Sequence, residues 1–277
     1  MASYAFGARR VREIVMCEPT HYRLAYEINP YMSRTTMVDP ALAMAQWSEL
    51  RRLVDEHIPV RTMPALPDQP DMVFVSDVGV CVEDVYLRSN FRHPERSGEV
   101  VAAERWFKEL GYRVATIPPD AFFEGMGDFA YTADRAILGY GQRSSRLDVA
   151  VFDALPGGAR EAVQVELTDS WFYHLGMVLA PLSTTCALVC RDGFTANGFR
   201  QISALFDDLV EVSERDAQNF AANAVCIEGT VVASQVPSAV RRDLHALGFE
   251  VVEVDVSEFT KAGGAVACMV LPVFCST

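Results

Sequence analysis

The sequence predicts an α/β fold made of a repeating unit, and three observations carry that reading. Short valine-rich runs alternate with stretches whose apolar residues fall three or four apart, the signatures of strand and helix. Two strands, a helix and a strand recur in that order roughly every fifty residues, which fits a propeller-like or radial array better than one doubly wound sheet. No linker or low-complexity segment interrupts the chain, so a single domain is expected over residues 1–277.

Residues 13–17 read as the first strand. The following EPTHYRLAYEINPYMSRTTM has no period and is rich in Tyr, Pro and Asn, as expected of a loop beside a site. Asp39 caps a helix with Pro40 at its first position, and Met44, Trp47, Leu50 and Val54 form its apolar face. After a turn carrying Pro64, Pro67 and Pro70, residues 71–77 and 78–87 are short strand candidates. Ser97 opens a helix with Val100, Ala103, Phe107 and Leu110 on one face and Gly111 as its stop, and residues 112–117 form a strand. A strand pair is expected within 123–138, a helix near 143–149 and a strand at 162–167. Next come a strand at 186–190, a helix bearing Phe199, Ile202, Leu205 and Leu209, and a strand at 210–212. The last unit has strands at 224–227 and 230–233, a helix at 238–247 and a strand at 250–254.

Half of the residues are hydrophobic and 22% are charged, which suits a globular protein with a sizeable core. No apolar run reaches the ~20 residues that a membrane span needs. The N-terminal MASYAFGARRVREIVMC lacks the order of a secretory signal, so a cytoplasmic location is expected. Seven cysteines without a CxxC pair point to free thiols. No His or Cys cluster has zinc-ligand spacing, and neither metal nor other cofactor is expected. A net charge of −13 argues against nucleic acid as a partner and suits a small cationic substrate. A homo-oligomer stays open.

Five polar residues stand out in apolar strand-and-turn surroundings: Asp77 after DMVFVS, Glu124 in FFEGMGDFAY, Arg143 in GYGQRSS, His174 in DSWFYHLG and Cys268 in KAGGAVACM. Singly, each has an ordinary explanation: turn acids, a surface arginine, a core histidine, a packed cysteine. Together they match one chemistry, the attack of a thiolate on a carbon held by carboxylates. Carboxylates can grip a planar guanidinium and fix its face toward sulfur. The bound cation would favour the thiolate. A histidine would then protonate the departing amine and activate water, with Glu124 beside it.

In their order along the chain, MCEPTHYRLAYEINPYM, PDMVFVSDVGV, HPERSGE, FEGMGD, GYGQRS, FYHLG, NFAANAV and KAGGAVACM make the sequence resemble the pentein superfamily of guanidine-modifying enzymes almost end to end. That superfamily includes dimethylargininases, arginine deiminases, arginine dihydrolases and amidinotransferases. The resemblance implies a five-bladed α/β propeller of ββαβ modules with its site on the central axis. It makes Cys268 the nucleophile, His174 the general acid and base, and Glu124 the support of the histidine or the guanidinium. It makes Asp77 the guanidinium grip, Asp71 the acceptor of a substrate α-amino group, and Arg96 and Arg143 the carboxylate binders. Asn29 lies in the INPYM segment, which resembles the cyanobacterial type of arginine dihydrolase.

The chain departs from each branch somewhere. The dihydrolase branch has asparagine in place of Asp77, and typical dimethylargininases have glutamate in place of Ser76. A carboxylate at 77 prefers a cationic guanidinium to a neutral ureido product, so the expected reaction on arginine or an N-methylated arginine stops at citrulline. A dihydrolase giving ornithine, carbon dioxide and two ammonia, an amidinotransferase, and a non-catalytic binding protein of the same fold are the alternatives. The intact Cys268 and His174 speak against the last of these.

Overall fold

The computed structural model describes residues 3–132, 135–157 and 162–276. Its repeating element is an antiparallel strand pair followed by a helix and a strand that returns parallel to the second of the pair. The clearest copy starts with the hairpin Gly79–Val82 and Val85–Arg88, in which Val80 faces Leu87. Glu83, at φ 52°, reverses the chain between them. Helix Ser97–Glu109 then carries the chain back so that Arg113–Thr116 pairs in parallel with Val85–Arg88. A parallel partner needs such a crossover, because no tight turn can deliver one.

Two further copies run through Leu179–Pro181, Cys186–Val189, helix Ala196–Ser203 and Asp208–Glu211, and through Val225–Ile227, Thr230–Ala233, helix Ser238–Ala246 and Glu250–Glu253. In the copy made of Phe129–Tyr131, Ala136–Tyr140 and Ala162–Glu166, a 3₁₀ segment, Val149–Ala154, stands where the others have a helix. The fifth copy joins the two ends of the chain. Leu271–Phe274 pairs antiparallel with Arg9–Cys17, and helix Pro40–Asp55 leads to Val60–Met63, parallel to Arg9–Cys17. Asp39 caps that helix, its Oδ1 accepting from the Ala41 and Leu42 amides at 2.9 and 3.1 Å.

Tyr4–Phe6 links the last-described edge to this fifth copy, so three units merge into one ten-stranded mixed sheet, and the other two remain three-stranded sheets. The large sheet ends at Glu250–Glu253 and Arg113–Thr116, and no strand pairing among the described residues closes it into a barrel. None of the described helices is long and apolar enough to cross a membrane.

Four expectations change. Residues 71–77 are two 3₁₀ turns, Pro70–Val73 and Val75–Val78, rather than a strand, and every residue of both turns is buried, where a half-exposed strand would alternate. The segment from 143 to 149 forms no α-helix. Leu110 is exposed at the helix end, and Leu209 belongs to a strand instead of the preceding helix. The strands Val60–Met63, Leu179–Pro181 and Leu271–Phe274 were not foreseen: Val60–Met63 has no clear alternation, and the other two each contain a proline, which reads against a strand interior.

Candidate active site

Each of the five units is preceded by a turn that dips into the same region of the molecule. Asp77 stands just before Gly79–Val82, Glu124 before Phe129–Tyr131, His174 before Leu179–Pro181, Asn223 before Val225–Ile227 and Cys268 before Leu271–Phe274. All five are buried. Close approach of backbones brings the turns together. A Cβ on Gly127 would sit 2.8 Å from Asp77 Oδ1 and 2.9 Å from His174 Nδ1, so only glycine fits where those side chains converge. Gly263, at φ +90°, packs equally tightly under Tyr173 Oη and the Asn29 amide.

A small, narrow cavity lies over these turns, lined by Asn29, Asp71, Asp77, Arg96, Arg143, Tyr173, His174 and Cys268 among others. Seven of the eight residues singled out from the sequence therefore share one wall. The eighth, Glu124, lies behind His174: its Oε2 is 2.9 Å from His174 Nε2 and 2.9 Å from Arg143 Nη1. Its other oxygen accepts from the Arg92 amide at 3.2 Å. Burial works against the Glu124 carboxylate, yet the bond to His174 and the charge of Arg143 hold it well below the usual range. Burial likewise opposes a charged His174, but Asp77, Asp128 and Glu124 together raise its pKa above the ordinary value.

Asp77 is gripped from one side. Arg96 Nη1 is 2.7 Å from its Oδ2, and Ser76 Oγ donates to its Oδ1 at 3.0 Å. That same Oδ1 is 3.9 Å from His174 Nδ1. Arg96 also forks onto the fully buried Glu99, with Nε at 3.0 Å from Oε1 and Nη2 at 2.8 Å from Oε2. Burial pushes Glu99 up to about 7 against the pull of Arg96. Both predicted carboxylate-binding arginines thus face acids of the chain itself, and Arg143 Nη2 further donates to the Ile28 carbonyl at 3.0 Å. Asn29 spends its side chain on the backbone, accepting from the Tyr31 and Met32 amides of its own loop and donating to the Ala262 carbonyl beside the paired glycines.

Asp71 differs from the rest. It is 2% exposed; its Oδ1 and the nearby Tyr26 hydroxyl meet no partner at ordinary hydrogen-bond geometry, although the hydroxyl stands close enough to favour the carboxylate. Burial drives its pKa upward, with Arg96 opposing. A buried carboxylate oxygen left unpaired beside a cavity is costly in isolation and suits a site that awaits a cation.

The Cys268 thiol, 8% exposed, is pushed up to about 12 by burial and then by the charge of Asp77. Both effects favour the neutral thiol. His174 turns one nitrogen to Glu124 and the other toward Asp77, so the imidazole is not hydrogen-bonded to the sulfur. The sulfur's partner is Asn223, whose Nδ2 is 3.4 Å away. Asn223 was not among the residues singled out from the sequence, and neither were Glu99 and Asp128. Asp128 accepts from Ser144 Oγ at 2.5 Å and from the Leu175 amide at 3.0 Å, which bolts the Glu124 and His174 turns together. The signal for Asn223 was positional: it occupies, in its unit, the lead-in place that Asp77, Glu124, His174 and Cys268 occupy in theirs.

The chain matches the family profile described as N,N dimethylarginine dimethylhydrolase, eukaryotic, over residues 27–275. It belongs to that family. It is 36% identical over 275 residues, 99% of this chain and 89% of the other, to the N(G),N(G)-dimethylarginine dimethylaminohydrolase of Mycobacterium tuberculosis. It is 34% identical over 273 residues to the bifunctional arginine dihydrolase/ornithine cyclodeaminase AgrE of Nostoc, covering 95% of this chain and 38% of that one. Among solved structures, a variant of the N-terminal domain of ArgZ, covalently bound to a reaction intermediate, superposes with a TM-score of 0.90 at 34% identity, covering 95% of this chain and 98% of that one. Family membership places the chain among the guanidine-modifying hydrolases.

Proposed function

We propose that this hydrolase cleaves a guanidinium C–N bond of arginine or an N-methylated arginine through a thiouronium on Cys268, releasing citrulline with ammonia or a methylamine. The observation that carries this reading is the meeting, at one cavity, of the Cys268 thiol, of His174 backed by Glu124, and of two buried acids, Asp71 and Asp77. The guanidinium lies against Asp77, and a substrate α-ammonium meets the unpaired oxygen of Asp71. The cation neutralises Asp77, the charge that helps to hold the thiol protonated, and the thiol proton leaves to water. The sulfur electron pair then forms an S–C bond. The C–N bond breaks with its pair on nitrogen, which takes the proton of His174. Water adds to the carbon with one proton passing to His174, the C–S bond breaks with its pair returning to sulfur, and the remaining hydroxyl proton leaves to solvent as the ureido carbonyl forms.

We also infer that the five units stand around one axis as the blades of a propeller. The bonds that tie the five lead-in turns to one another around His174 support this, as does the likeness to the ArgZ domain. Residues 1–277 then form one catalytic unit, and a cytoplasmic setting fits its free thiols.

The likeness to AgrE and ArgZ, named as arginine dihydrolases, favours a second reading in which the ureido product is attacked again and ornithine is released. Asp77 separates the two. A carboxylate there loses its charge complement once the guanidinium becomes a neutral ureido group, and the product should depart. Incubation with arginine and its N-methylated forms, with citrulline, ornithine, ammonia and methylamines quantified, is expected to give citrulline as the main amino-acid product. Ornithine with two ammonia per arginine would establish the dihydrolase instead.

The pH dependence has a definite sign. His174 must be protonated to expel the amine, and its pKa is raised, so kcat/KM should hold through the ordinary histidine range and fall only above it. The ultraviolet thiolate absorbance of Cys268 should titrate near about 12 in the free protein and move to lower pH when a guanidinium ligand is added. A thiolate already present near neutral pH in the free protein would contradict this activation by substrate.

A further inference from the structure

Asn223 joins the nucleophile to the histidine. It is 1% exposed, and its amide is oriented without ambiguity by two backbone groups. Its Oδ1 accepts from the Ala267 amide at 3.0 Å, so Nδ2 must be the atom that donates to the Gly176 carbonyl at 2.8 Å. Ala267 immediately precedes Cys268, and Gly176 lies on the turn that follows His174. One Nδ2 hydrogen serves Gly176, which leaves the second directed at Cys268 Sγ, 3.4 Å away. The neutral thiol makes only a long return contact, Sγ to Oδ1 at 3.8 Å. A thiolate is acceptor only, and a hydrogen bond to a charged acceptor is shorter and about twice as strong as a neutral one. The bond from Nδ2 therefore gains most when the sulfur carries charge, and the imidazole offers no competing bond.

We infer that Asn223 is the donor that holds the Cys268 thiolate, acting twice in each turnover: before sulfur attacks, and again when the C–S bond breaks and its electron pair returns to sulfur. The inference rests on the reading of Cys268 as the nucleophile. It assigns to the Val225–Ile227 unit the one catalytic duty its lead-in turn otherwise lacks. It also explains why the amide cannot be replaced by its acid: aspartate could still accept from Ala267 but would lose both donors and set a second negative charge beside the sulfur.

The test is the reactivity of the sulfur itself, apart from turnover. Iodoacetamide labelling of the Cys268 peptide, followed by mass spectrometry at about pH 9, reports the thiolate fraction, because alkylation proceeds through the thiolate. Asn223→Asp and Asn223→Ala are each expected to label at least about tenfold more slowly than wild type, equivalent to about one unit of thiol pKa. The alkaline limb of kcat/KM set by His174 should stay in place. Unchanged or faster labelling in either folded variant would overturn the inference, even if activity fell. If neither variant gives a cooperative melt, the wild type decides. One side-chain amide proton of Asn223 should move downfield in NMR spectra as the thiol titrates in the presence of a guanidinium ligand, and a resonance that does not follow the titration overturns the assignment. A wild type that releases neither citrulline nor ornithine sinks the hydrolase reading alone. A wild type that turns over normally beside unaltered labelling of Asn223→Asp sinks this inference alone.

Discussion

Replacing Cys268 by alanine should reduce turnover by a factor on the order of 10⁴–10⁶ while leaving the substrate bound, because loss of a covalent nucleophile removes the reaction path and not the site. Asp77 and Asp71, proposed to hold the cation, stand on other turns and do not depend on the sulfur. Calorimetry with arginine should therefore show binding of Cys268→Ala at least as tight as that of the wild type, since a thiol that must lose its proton no longer opposes it. Product release and binding together make the check sharp. If the alanine variant still releases citrulline or ornithine at near the wild-type rate, sulfur is not the nucleophile. If it neither binds nor turns over, the cysteine shapes the cavity rather than attacking across it. Acid quenching of the wild type during turnover should leave an arginine-derived adduct on the Cys268 peptide, and the variant should leave none.

The grouping of Glu124, His174 and Cys268 was legible in the sequence because each is a reactive group in apolar surroundings; the structure brings the three together on neighbouring turns, and Gly127 allows the close approach of Asp77 and His174. Asp77 was found too, although within a segment read as a strand; four apolar residues in a row look alike whether they extend or coil into successive 3₁₀ turns. What remained hidden was anything set by three-dimensional pairing. Nothing in HPERSGE says that Arg96, at the cavity wall, spends its guanidinium on Asp77 and on Glu99 three residues later. Nothing in NFAANAV says that its last asparagine, and not its first, faces sulfur. The repeating unit was recognisable from order and spacing, but not its closing strand: Leu271–Phe274 belongs with Arg9–Cys17, a pairing across the whole chain that local period cannot reveal.

Removing the charge of Arg96 should be the most destabilising single change near the site. Arg96 lies among three buried carboxylates, bonded to Asp77 and Glu99 and opposing the charge of Asp71. Arg96→Met keeps the length of the side chain and leaves those acids without their common cation, which for a buried pair costs about 3–5 kcal/mol. The loss should depend on pH with a fixed sign. Glu99 already has a raised pKa, so the folded state holds its proton more tightly than the unfolded chain does, and stability drops as pH rises through that interval. Without Arg96 the pKa rises further, and the interval extends upward. Denaturation melts should then show the largest deficit against wild type at about pH 8 and a much smaller one at about pH 5, where the acids can take up protons. A deficit that is small and flat with pH would mean that water reaches the cluster and screens it. Arg96→Lys separates charge from shape. A single ammonium restores much of the stability, but it cannot fork onto Glu99 and still aim a donor at Asp77. Asp77 is then free to tilt, the guanidinium loses its fixed face toward sulfur, and turnover should stay on the order of 10²-fold below wild type even in a protein that melts almost normally.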